Sequence, residues 1–368
     1  MKLKAAVLRA PGEAMSIETL QIGALLPGEV LVKIGAAGLC HTDLEVIEGQ
    51  LRYPMPIVLG HEAAGTVEGV GDGVDPGRCG QRVVLSWNPH CGRCFFCLSG
   101  QPILCDRYIS LGRQAVAFDG TTKLRLGETD VHSMFYVAAF AEFAIVTAEC
   151  AVTIPVEIPF SSACLLGCGV LTGVGAATHV AQLRGGETVM VIGCGAVGLS
   201  AIQGARLAGA GQIIAVDLRH SKLDLARAMG ATHIVNAQTQ NTLSAVQDIT
   251  NGRGADCVIE AAGNGSAFRI SAESCRPGGQ VIWLGKVGLD EEISFRWGSL
   301  MGEKRFTRCS YGGADTGKDF AWLAALYLDG DLELDALVSE QIELENVNAG
   351  FEKLRRGETI RSVIVFND

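Results

Sequence analysis

The 368-residue sequence lacks three features that would assign it to whole classes of protein. No stretch reaches the roughly 18 uncharged apolar residues of a membrane-spanning helix; the longest candidate, 134–146, is interrupted by Glu142. Positive charge is in deficit, and the formal net charge of −10 disfavours non-specific binding to nucleic acid or anionic membranes. The apolar run after Met1 is too short for a secretory signal peptide. We therefore expect a cytoplasmic protein whose partner is neither a nucleic acid nor a membrane.

Cysteine, by contrast, is abundant, and several cysteines are crowded together. Cytoplasmic thiols stay reduced, and the odd total of 13 also argues against a disulfide framework. The segment HCGRCFFCLSGQPILC, residues 90–105, contains Cys91, Cys94, Cys97 and Cys105. Two disulfides, an iron–sulfur cluster or one zinc ion could explain this crowding. The spacing C-x2-C-x2-C-x7-C favours zinc, because a ferredoxin-type run ends in x3-C-P. Four sulfur ligands leave no open position, so we predict a structural zinc.

The pattern of the chain changes near residue 171, which indicates two domains. Before that point, short β-branched runs such as 31–34 and 82–85 lie between glycines and prolines, as in a mostly β domain. Further on, apolar runs alternate with helix-like stretches, the pattern of a doubly wound parallel sheet. We predict an α/β plus β protein. Its mostly β domain would comprise residues 1–170 and 312–368, and its Rossmann domain residues 171–311.

A glycine-rich segment of the second domain has the pattern of a dinucleotide-binding turn. A predicted strand, 187–192, leads into GCGAVG at 193–198, and a helical pattern follows. In G-x-G-x-x-G the glycines allow a tight turn and a close approach to a pyrophosphate on the helix N-terminus. Asp217, at the end of the next strand, could bind the ribose hydroxyls of NAD and repel the 2′-phosphate of NADP, although Arg219 and His220 could pair with that phosphate. We predict NAD binding by Gly193, Gly195, Ala196, Val197, Gly198 and Asp217; a turn that needs glycine only for packing is the alternative.

A second group of potential metal ligands is scattered along the chain. Cys40 precedes His41-Thr42-Asp43, His61 precedes Glu62, and Cys168 lies far from both. Taken singly, each has a simpler explanation, because buried cysteines are common core residues and a lone histidine is usually a satisfied polar group. Spacing alone does not join Cys168 to the other two.

Five motifs, taken in order, resemble those of the zinc-dependent alcohol dehydrogenases of the medium-chain dehydrogenase/reductase superfamily. They are GLCHTD at 38–43, LGHEAAG at 59–65, the cysteine loop, LGCGVLTG at 166–173 and the glycine turn at 193–198. The resemblance runs essentially end to end and is greatest to the branch that contains the liver-type enzymes and glutathione-dependent formaldehyde dehydrogenase, with 112–140 as its extra loop. It implies a GroES-like catalytic domain beside the Rossmann domain. It also implies a homodimer, or a dimer of dimers, that pairs coenzyme domains through residues 292–306.

The resemblance also implies roles for individual residues. The catalytic zinc would be ligated by Cys40, His61 and Cys168, with water or substrate in the fourth place, so the chain would carry two zinc ions. Asp43 would orient His61, Glu62 would lie behind the zinc, and Thr42 would take the proton of the alcohol. The cofactor would be contacted by His41 and Arg361 at the pyrophosphate, Lys222 at the adenosine ribose and Thr172 at the nicotinamide ring. The substrate pocket would be walled by Trp87, Leu104, Leu51 and the segment 132–135.

Three positions depart from the family pattern and bear on the substrate. Glu45 replaces a histidine of the proton relay in the liver-type enzymes, so His41, Glu45 or solvent could carry the proton onward. Ile109 replaces the arginine that binds glutathione in the formaldehyde dehydrogenases, and neither Arg107 nor Arg113 aligns with it. Lys286 lies where valine is usual and could bind an anionic substrate or turn to solvent.

The implied function is hydride transfer between NAD and a zinc-bound primary alcohol or aldehyde. Because Trp87 is large and flat, the pocket favours an aromatic, allylic or other bulky apolar substrate. The alternatives are a glutathione-dependent formaldehyde dehydrogenase, a dehydrogenase for an anionic alcohol, and a non-enzymatic NADH-binding protein. The last would be expected to have lost a catalytic ligand, and Cys40, His61 and Cys168 are all retained.

Overall fold

The computed structural model describes residues 1–366, apart from the side chains of Ile109 and Ser110. Its strands are β1 Lys2–Leu8, β2 Ser16–Ile22, β3 Glu29–Gly38, β4 Ile57–Val58, β5 Glu62–Val70, β6 Arg82–Leu85, β7 Leu124–Leu126, β8 Thr129–Ser133, β9 Phe143–Thr147, β10 Ala151–Thr153, β11 Thr188–Ile192, β12 Gln212–Asp217, β13 His233–Asn236, β14 Ala255–Glu260, β15 Cys275–Trp283, β16 Arg305–Arg308, β17 Val338–Ile342 and β18 Arg361–Val365. Its α-helices are α1 His41–Ile47, α2 Phe95–Leu98, α3 Asp106–Gln114, α4 Phe160–Ala163, α5 Gly169–Gly175, α6 Ala196–Leu207, α7 His220–Ala228, α8 Thr242–Ile249, α9 Gly265–Ser274, α10 Thr316–Leu328 and α11 Val347–Arg355.

The chain divides into two compact units. The first comprises residues 1–168 and 315–368, and the second comprises residues 169–314. The boundaries predicted from the sequence lie after residues 170 and 311. Within the described residues, none of the helices combines the length and the apolar composition of a membrane span. One pair of helices, 160–167 and 169–180, has that length and composition when taken together, but the pair is bent.

The first unit is built from a closed barrel and a seven-stranded sheet. The barrel has the strand order β1-β2-β7-β8-β4, and the sheet has the order β10-β6-β5-β3-β18-β17, with β9 paired to β3. Every second side chain of β3 from Val30 to Ala36 is fully buried, because one face of this strand packs on the core. The core is mainly aliphatic, with Leu59 and the aromatic Phe140 among its fully buried side chains.

The second unit is a parallel sheet flanked by helices. Its strand order is β13-β12-β11-β14-β15-β16, and each neighbouring pair is parallel. In order of appearance this is 3-2-1-4-5-6, the order of the doubly wound dinucleotide-binding fold. All five residues of β11 are buried, as expected for the central strand of a sheet that is covered on both faces. The predicted fold class, a mostly β domain combined with a Rossmann sheet, is confirmed.

Strand register in the first unit brings distant segments to one place. β3 and β5 pair antiparallel with Gly38 opposite Glu62, so Cys40, just past β3, lies near His61, just before β5. The turn that precedes Cys168 packs on β5 and its neighbour β6: a Cβ on Gly167 would lie 3.5 Å from the Ala63 amide nitrogen and 3.1 Å from the carbonyl oxygen of Leu85. Residues far apart in sequence therefore converge at the ends of these strands.

Candidate active site

Four potential metal ligands meet where β3, β5 and the turn before Cys168 converge. One ligand atom from each of Cys40, His61, Glu62 and Cys168 lies within 4.8 Å of the others. His61 and Glu62 are buried, and Cys168 is partly exposed. The structure therefore brings Cys168 to Cys40 and His61, which spacing in the sequence could not do.

Asp43 fixes the orientation of His61. One of its carboxylate oxygens lies 3.1 Å from Nδ1 of His61 and accepts a hydrogen bond from the Gly60 amide at 3.0 Å, while the other accepts from the Cys40 amide at 3.2 Å. Because Nδ1 faces a carboxylate, this nitrogen carries a ring proton, and a metal ion on Nε2 would take the place of the second ring proton. Burial opposes a positive charge on His61, but Asp43 and Cys40 together raise its pKa well above the ordinary value.

The chemistry of these donors fits a zinc ion. Nε2 of His61 is buried and has no hydrogen-bond partner, a costly state for a polar atom unless it binds something. A hydrogen bond from the Cys168 thiol, helped by Arg361, lowers the pKa of Cys40 well below its usual range, and the same bond raises the pKa of Cys168. Two cysteines and one histidine form a catalytic zinc set known from alcohol dehydrogenase, which leaves the fourth position open.

Glu62 and Arg361 form a buried ion pair behind these ligands. The guanidinium donates from Nε and Nη2 to the two carboxylate oxygens of Glu62, both at 3.0 Å, and Nη2 lies 3.6 Å from Sγ of Cys40. Burial raises the pKa of Glu62, which Arg361 partly offsets. Gly38 is required here, because a Cβ would lie 2.5 Å from a carboxylate oxygen of Glu62. The structure thus gives Arg361 a partner beside the metal ligands, whereas its predicted contact with the cofactor stays a prediction.

The cysteine loop forms a second donor cluster. Sγ of Cys94 lies 3.4 Å from Sγ of Cys97 and 3.9 Å from Sγ of Cys105. Four thiolates around zinc at 2.3 Å would have sulfurs about 3.8 Å apart in a tetrahedron, so these distances fit the ion. A hydrogen bond from the Cys97 amide lowers the pKa of Cys94 to about 6, whereas burial raises the pKa of Cys105 to about 12.

Aromatic rings enclose the space beside His61. The Phe135 ring lies 5.0 Å from Trp87 and, edge on, 5.6 Å from the His61 imidazole. Tyr53 meets the same Phe135 ring at 6.0 Å, and Leu51 packs on the same core. Leu104, also predicted to line the pocket, is 40% exposed. Tyr53 is absent from the predicted pocket, because nothing in the local pattern of that turn indicates where its ring points.

The backbone at Phe135 is unusual. Phe135, Tyr136 and Ala138 have φ of +48°, +64° and +49°, a left-handed conformation that costs a non-glycine residue roughly 1–2 kcal/mol each. Non-glycine residues persist there when the surrounding structure holds them, commonly at functional sites. The strain therefore lies beside the candidate metal ligands.

The glycine turn of the second unit has room for a phosphate. A Cβ on Gly193, where φ is +90°, would lie 2.8 Å from the Ala262 amide, and one on Gly198 would lie 1.7 Å from the Gly193 carbonyl oxygen. At Gly195, by contrast, nothing lies within 4 Å, so the turn is open at the start of α6, which begins at Ala196. Closed packing at two glycines and open space at the middle one fit a pyrophosphate on the helix N-terminus.

The remaining predicted cofactor residues lie in both units. Asp217 ends β12, and its carboxylate accepts hydrogen bonds from the Cys194 amide at 2.7 Å and the Arg219 amide at 3.0 Å. Lys222 lies in α7 and Thr172 in α5, and both are partly buried. In the first unit, α1 begins at the exposed His41, and Thr42 and Glu45 follow, partly buried.

Comparison with known proteins agrees with this geometry. Residues 26–156 match the alcohol dehydrogenase GroES-like domain, and residues 196–327 match the zinc-binding dehydrogenase family. An S-(hydroxymethyl)glutathione dehydrogenase from Komagataella pastoris is 36% identical over 100% of this chain and 98% of its own. An NDMA-dependent alcohol dehydrogenase from Amycolatopsis methanolica is also 36% identical, over 99% of each chain. The crystal structure of benzyl alcohol dehydrogenase from Acinetobacter calcoaceticus, 31% identical, superposes over 100% of both chains with a TM-score of 0.94.

Full-length similarity at this level, together with both domain families, establishes the class of the protein. NAD and zinc are the cofactors of that class. The two clusters of metal ligands fit zinc, and the glycine turn fits NAD. The chain belongs to the zinc-dependent medium-chain alcohol dehydrogenases, in the branch that resembles the formaldehyde dehydrogenases, and is an NAD-dependent oxidoreductase.

Proposed function

We propose that the protein transfers hydride between NAD and a primary alcohol or aldehyde bound beside Cys40, His61 and Cys168, and that the substrate is aromatic, allylic or otherwise bulky and apolar. The observation that carries the proposal is the three-donor site with the buried, unpartnered Nε2 of His61. When bound, zinc supplies a Lewis acid that acidifies an alcohol, as it lowers the pKa of water to about 7, and NAD supplies the hydride acceptor.

The residues of the chain have separate tasks in this reaction. Asp43 keeps the His61 proton on Nδ1 and so leaves Nε2 for the metal. Arg361 neutralises Glu62 behind the ligands. Thr42, two residues after the ligand Cys40, accepts the hydroxyl proton of the alcohol as its own hydroxyl proton passes on. Glu45, one turn later in α1 and partly buried, passes the proton toward solvent, with His41 as the alternative route.

The aromatic enclosure supports the choice of substrate. Phe135 and Trp87 offer faces and edges on which a planar group can pack, and such contacts favour aromatic over small aliphatic alcohols. The structural similarity to benzyl alcohol dehydrogenase supports the same choice.

A second candidate is glutathione-dependent formaldehyde dehydrogenase, which the similarity to the Komagataella protein favours. The position that would bind the glutathione carboxylate is Ile109, whose side chain lies outside the described part of the structure. Nearby, Arg107 lies over the ring of Tyr108 and Arg113 is exposed. Lys286, also exposed, leaves open a third candidate, a dehydrogenase for an anionic alcohol.

Steady-state kinetics with zinc-loaded protein separates these candidates. Benzyl-type alcohols should give the highest kcat/KM, with NAD clearly preferred to NADP because Asp217 repels a 2′-phosphate. Efficient turnover only with formaldehyde plus glutathione would transfer the assignment to the second candidate. A Lys286→Ala variant that loses tenfold or more, about 1.4 kcal/mol, with a carboxylate-bearing alcohol alone would support the third. Equal efficiency with NADP would contradict the cofactor assignment.

We infer a cytoplasmic enzyme, since 13 cysteines suit a reducing compartment. We also infer a homodimer, since Trp297 and Met301, within the segment 292–306, are 78% and 59% exposed in the isolated chain.

A further inference from the structure

Phe135 and Tyr136 are consecutive residues with separate sets of aromatic neighbours. The ring of Phe135 contacts Trp87 and His61, within the candidate substrate pocket. The ring of Tyr136, 4% exposed, stacks on Phe118 with centroids 4.5 Å apart, and its hydroxyl donates a hydrogen bond to the carbonyl of Tyr108. One short stretch of left-handed backbone therefore joins the pocket to a second aromatic cluster.

The partner of the Tyr136 hydroxyl belongs to a defined element. Tyr108 lies in α3, which begins at Asp106, directly after the last cysteine of the loop. One turn later in the same helix is Gly112, where a Cβ would lie 2.8 Å from the Tyr136 hydroxyl oxygen. The helix thus has both an acceptor and the space for this oxygen, and the hydrogen bond ties the pocket segment to α3.

We propose that Tyr136 is a positioning residue, and that its hydrogen bond to α3 holds Phe135 against Trp87 and His61, where the ring selects for aromatic alcohols. This inference rests on the proposed function of the pocket. Two successive non-glycine residues in the left-handed region need contacts that hold them there. Stacking on Phe118 fixes the plane of the Tyr136 ring, and the hydrogen bond of the hydroxyl fixes how far the ring extends toward α3. Release of the hydroxyl therefore lets the backbone relax and the Phe135 ring withdraw.

The test is the Tyr136→Phe variant, which keeps the stacked ring and removes only the hydroxyl. The ratio of kcat/KM for benzyl alcohol to kcat/KM for ethanol should fall roughly fivefold, the effect expected of one hydrogen bond. The change should lie in KM for benzyl alcohol, with kcat nearly unchanged. The matched control is Tyr327→Phe, which loses a hydroxyl bonded to Asp335 in the same unit and should leave the ratio unchanged.

A double-mutant cycle tests whether the effect acts through Phe135. Phe135→Ala alone should lower the same ratio, and adding Tyr136→Phe to it should lower the ratio no further. Additive losses would show that Tyr136 acts by another route and would overturn the proposal. An unchanged ratio in Tyr136→Phe would overturn it as well.

A crystal structure of Tyr136→Phe gives a result independent of turnover. We expect the Phe135 ring to leave its position 5.0 Å from Trp87 and its backbone to leave the left-handed region. An unmoved ring would refute the positioning role even if the wild-type protein oxidised neither alcohol. Inactivity of the wild type toward both alcohols would instead refute the proposed function, so the two failures are distinguishable.

Discussion

At the residue scale, two glycines of one turn have very different surroundings. A methyl group at Gly198 would overlap the Gly193 carbonyl oxygen, whereas one at Gly195 would enter open space. We expect Gly198→Ala to lower the free energy of unfolding by about 3 kcal/mol. Gly195→Ala should leave the unfolding temperature nearly unchanged but raise the Kd for NAD by roughly tenfold or more, because the methyl occupies the space for the pyrophosphate. Thermal unfolding and calorimetric titration of both variants measure this; normal NAD binding by Gly195→Ala would exclude the turn as the phosphate site.

Asp43 gives a second prediction at this scale. Its carboxylate receives hydrogen bonds from Gly60, Cys40 and His61. Asp43→Asn keeps the shape of the side chain but places an amide group against at least one of these donors. Removing such an outer partner typically costs 10–100-fold in metal affinity. After dialysis against a chelator, we expect the variant to lose one of two zinc ions by elemental analysis.

The control for Asp43 is Asp256→Asn in the second unit. That carboxylate also binds a backbone amide, that of Thr188, and an arginine, Arg276, but it has no metal ligand as a neighbour in the described structure. It should destabilise the fold modestly and retain both zinc ions. Equal zinc loss in both variants would mean that Asp43 acts on global stability and not on His61.

What the sequence could predict at this scale depended on distance along the chain. Asp217 follows from a local pattern, a strand that ends in an acid after a glycine turn, and it lies at the end of β12 as predicted. The pair of Arg361 with Glu62 joins residues 299 positions apart, and the Tyr53–Phe135 contact joins two loops. No periodicity encodes such contacts; only strand register and turn geometry create them.

At the scale of elements, the cysteine loop has little to stabilise it besides a metal. Its helix α2 is four residues long, and Phe95 and Leu98 in it are 73% and 75% exposed. In a site with four thiolates, metal-binding energy is also folding energy. We therefore expect Cys97→Ser to damage folding, seen as a lower unfolding temperature and poor yield. Cys168→Ser should fold normally but lack activity and one zinc.

A neutral cysteine substitution and elemental analysis complete this test. Cys79 is exposed and lies outside both donor clusters, so Cys79→Ser should retain two zinc ions and full activity. The wild-type protein should contain two zinc ions per chain and no iron. A single zinc, or iron in stoichiometric amount, would refute the assignment of the two sites.

Elements differ in how much of their structure the sequence reveals. Strand β11 and residues Cys257 to Ile259 of β14 are apolar runs buried on both faces, and the alternation of such runs with helices predicted the parallel sheet. In the barrel, β4 has two residues and β7 has three, too few to show an alternating pattern. The left-handed residues Phe135, Tyr136 and Ala138 are equally hidden, because none of them is a glycine that would signal positive φ.

At the scale of the whole molecule, the first unit is discontinuous. Its last strand, β18, pairs antiparallel with β3, which places Val363 opposite Gly38 and brings Arg361 to the metal ligands. The change of pattern near residue 171 predicts a second domain from that point on, and the second compact unit begins at residue 169. The last 54 residues belong to the first unit. Their sequence predicts only short mixed elements, because the strand pairing that joins them to the first unit depends on long-range register.

The assembly of the molecule supplies the last prediction. In the second unit, Trp297 and Met301 are 78% and 59% exposed, and large apolar side chains left in water on one segment are typical of an association surface. In a homodimer with a two-fold axis at this segment, the interface would bury both side chains on each of the two chains. We expect Trp297→Asp with Met301→Asp to raise the dimer Kd by at least 100-fold, about 2.7 kcal/mol, since full burial of such a side chain contributes roughly 1.5–3 kcal/mol. Sedimentation velocity at micromolar concentration would then show monomers in place of dimers.

The control, Leu328→Asp, changes an apolar residue that is 45% exposed on α10 of the first unit and should leave the dimer intact. A wild-type chain that sediments as a monomer, or a double variant that remains dimeric, would place the contact elsewhere.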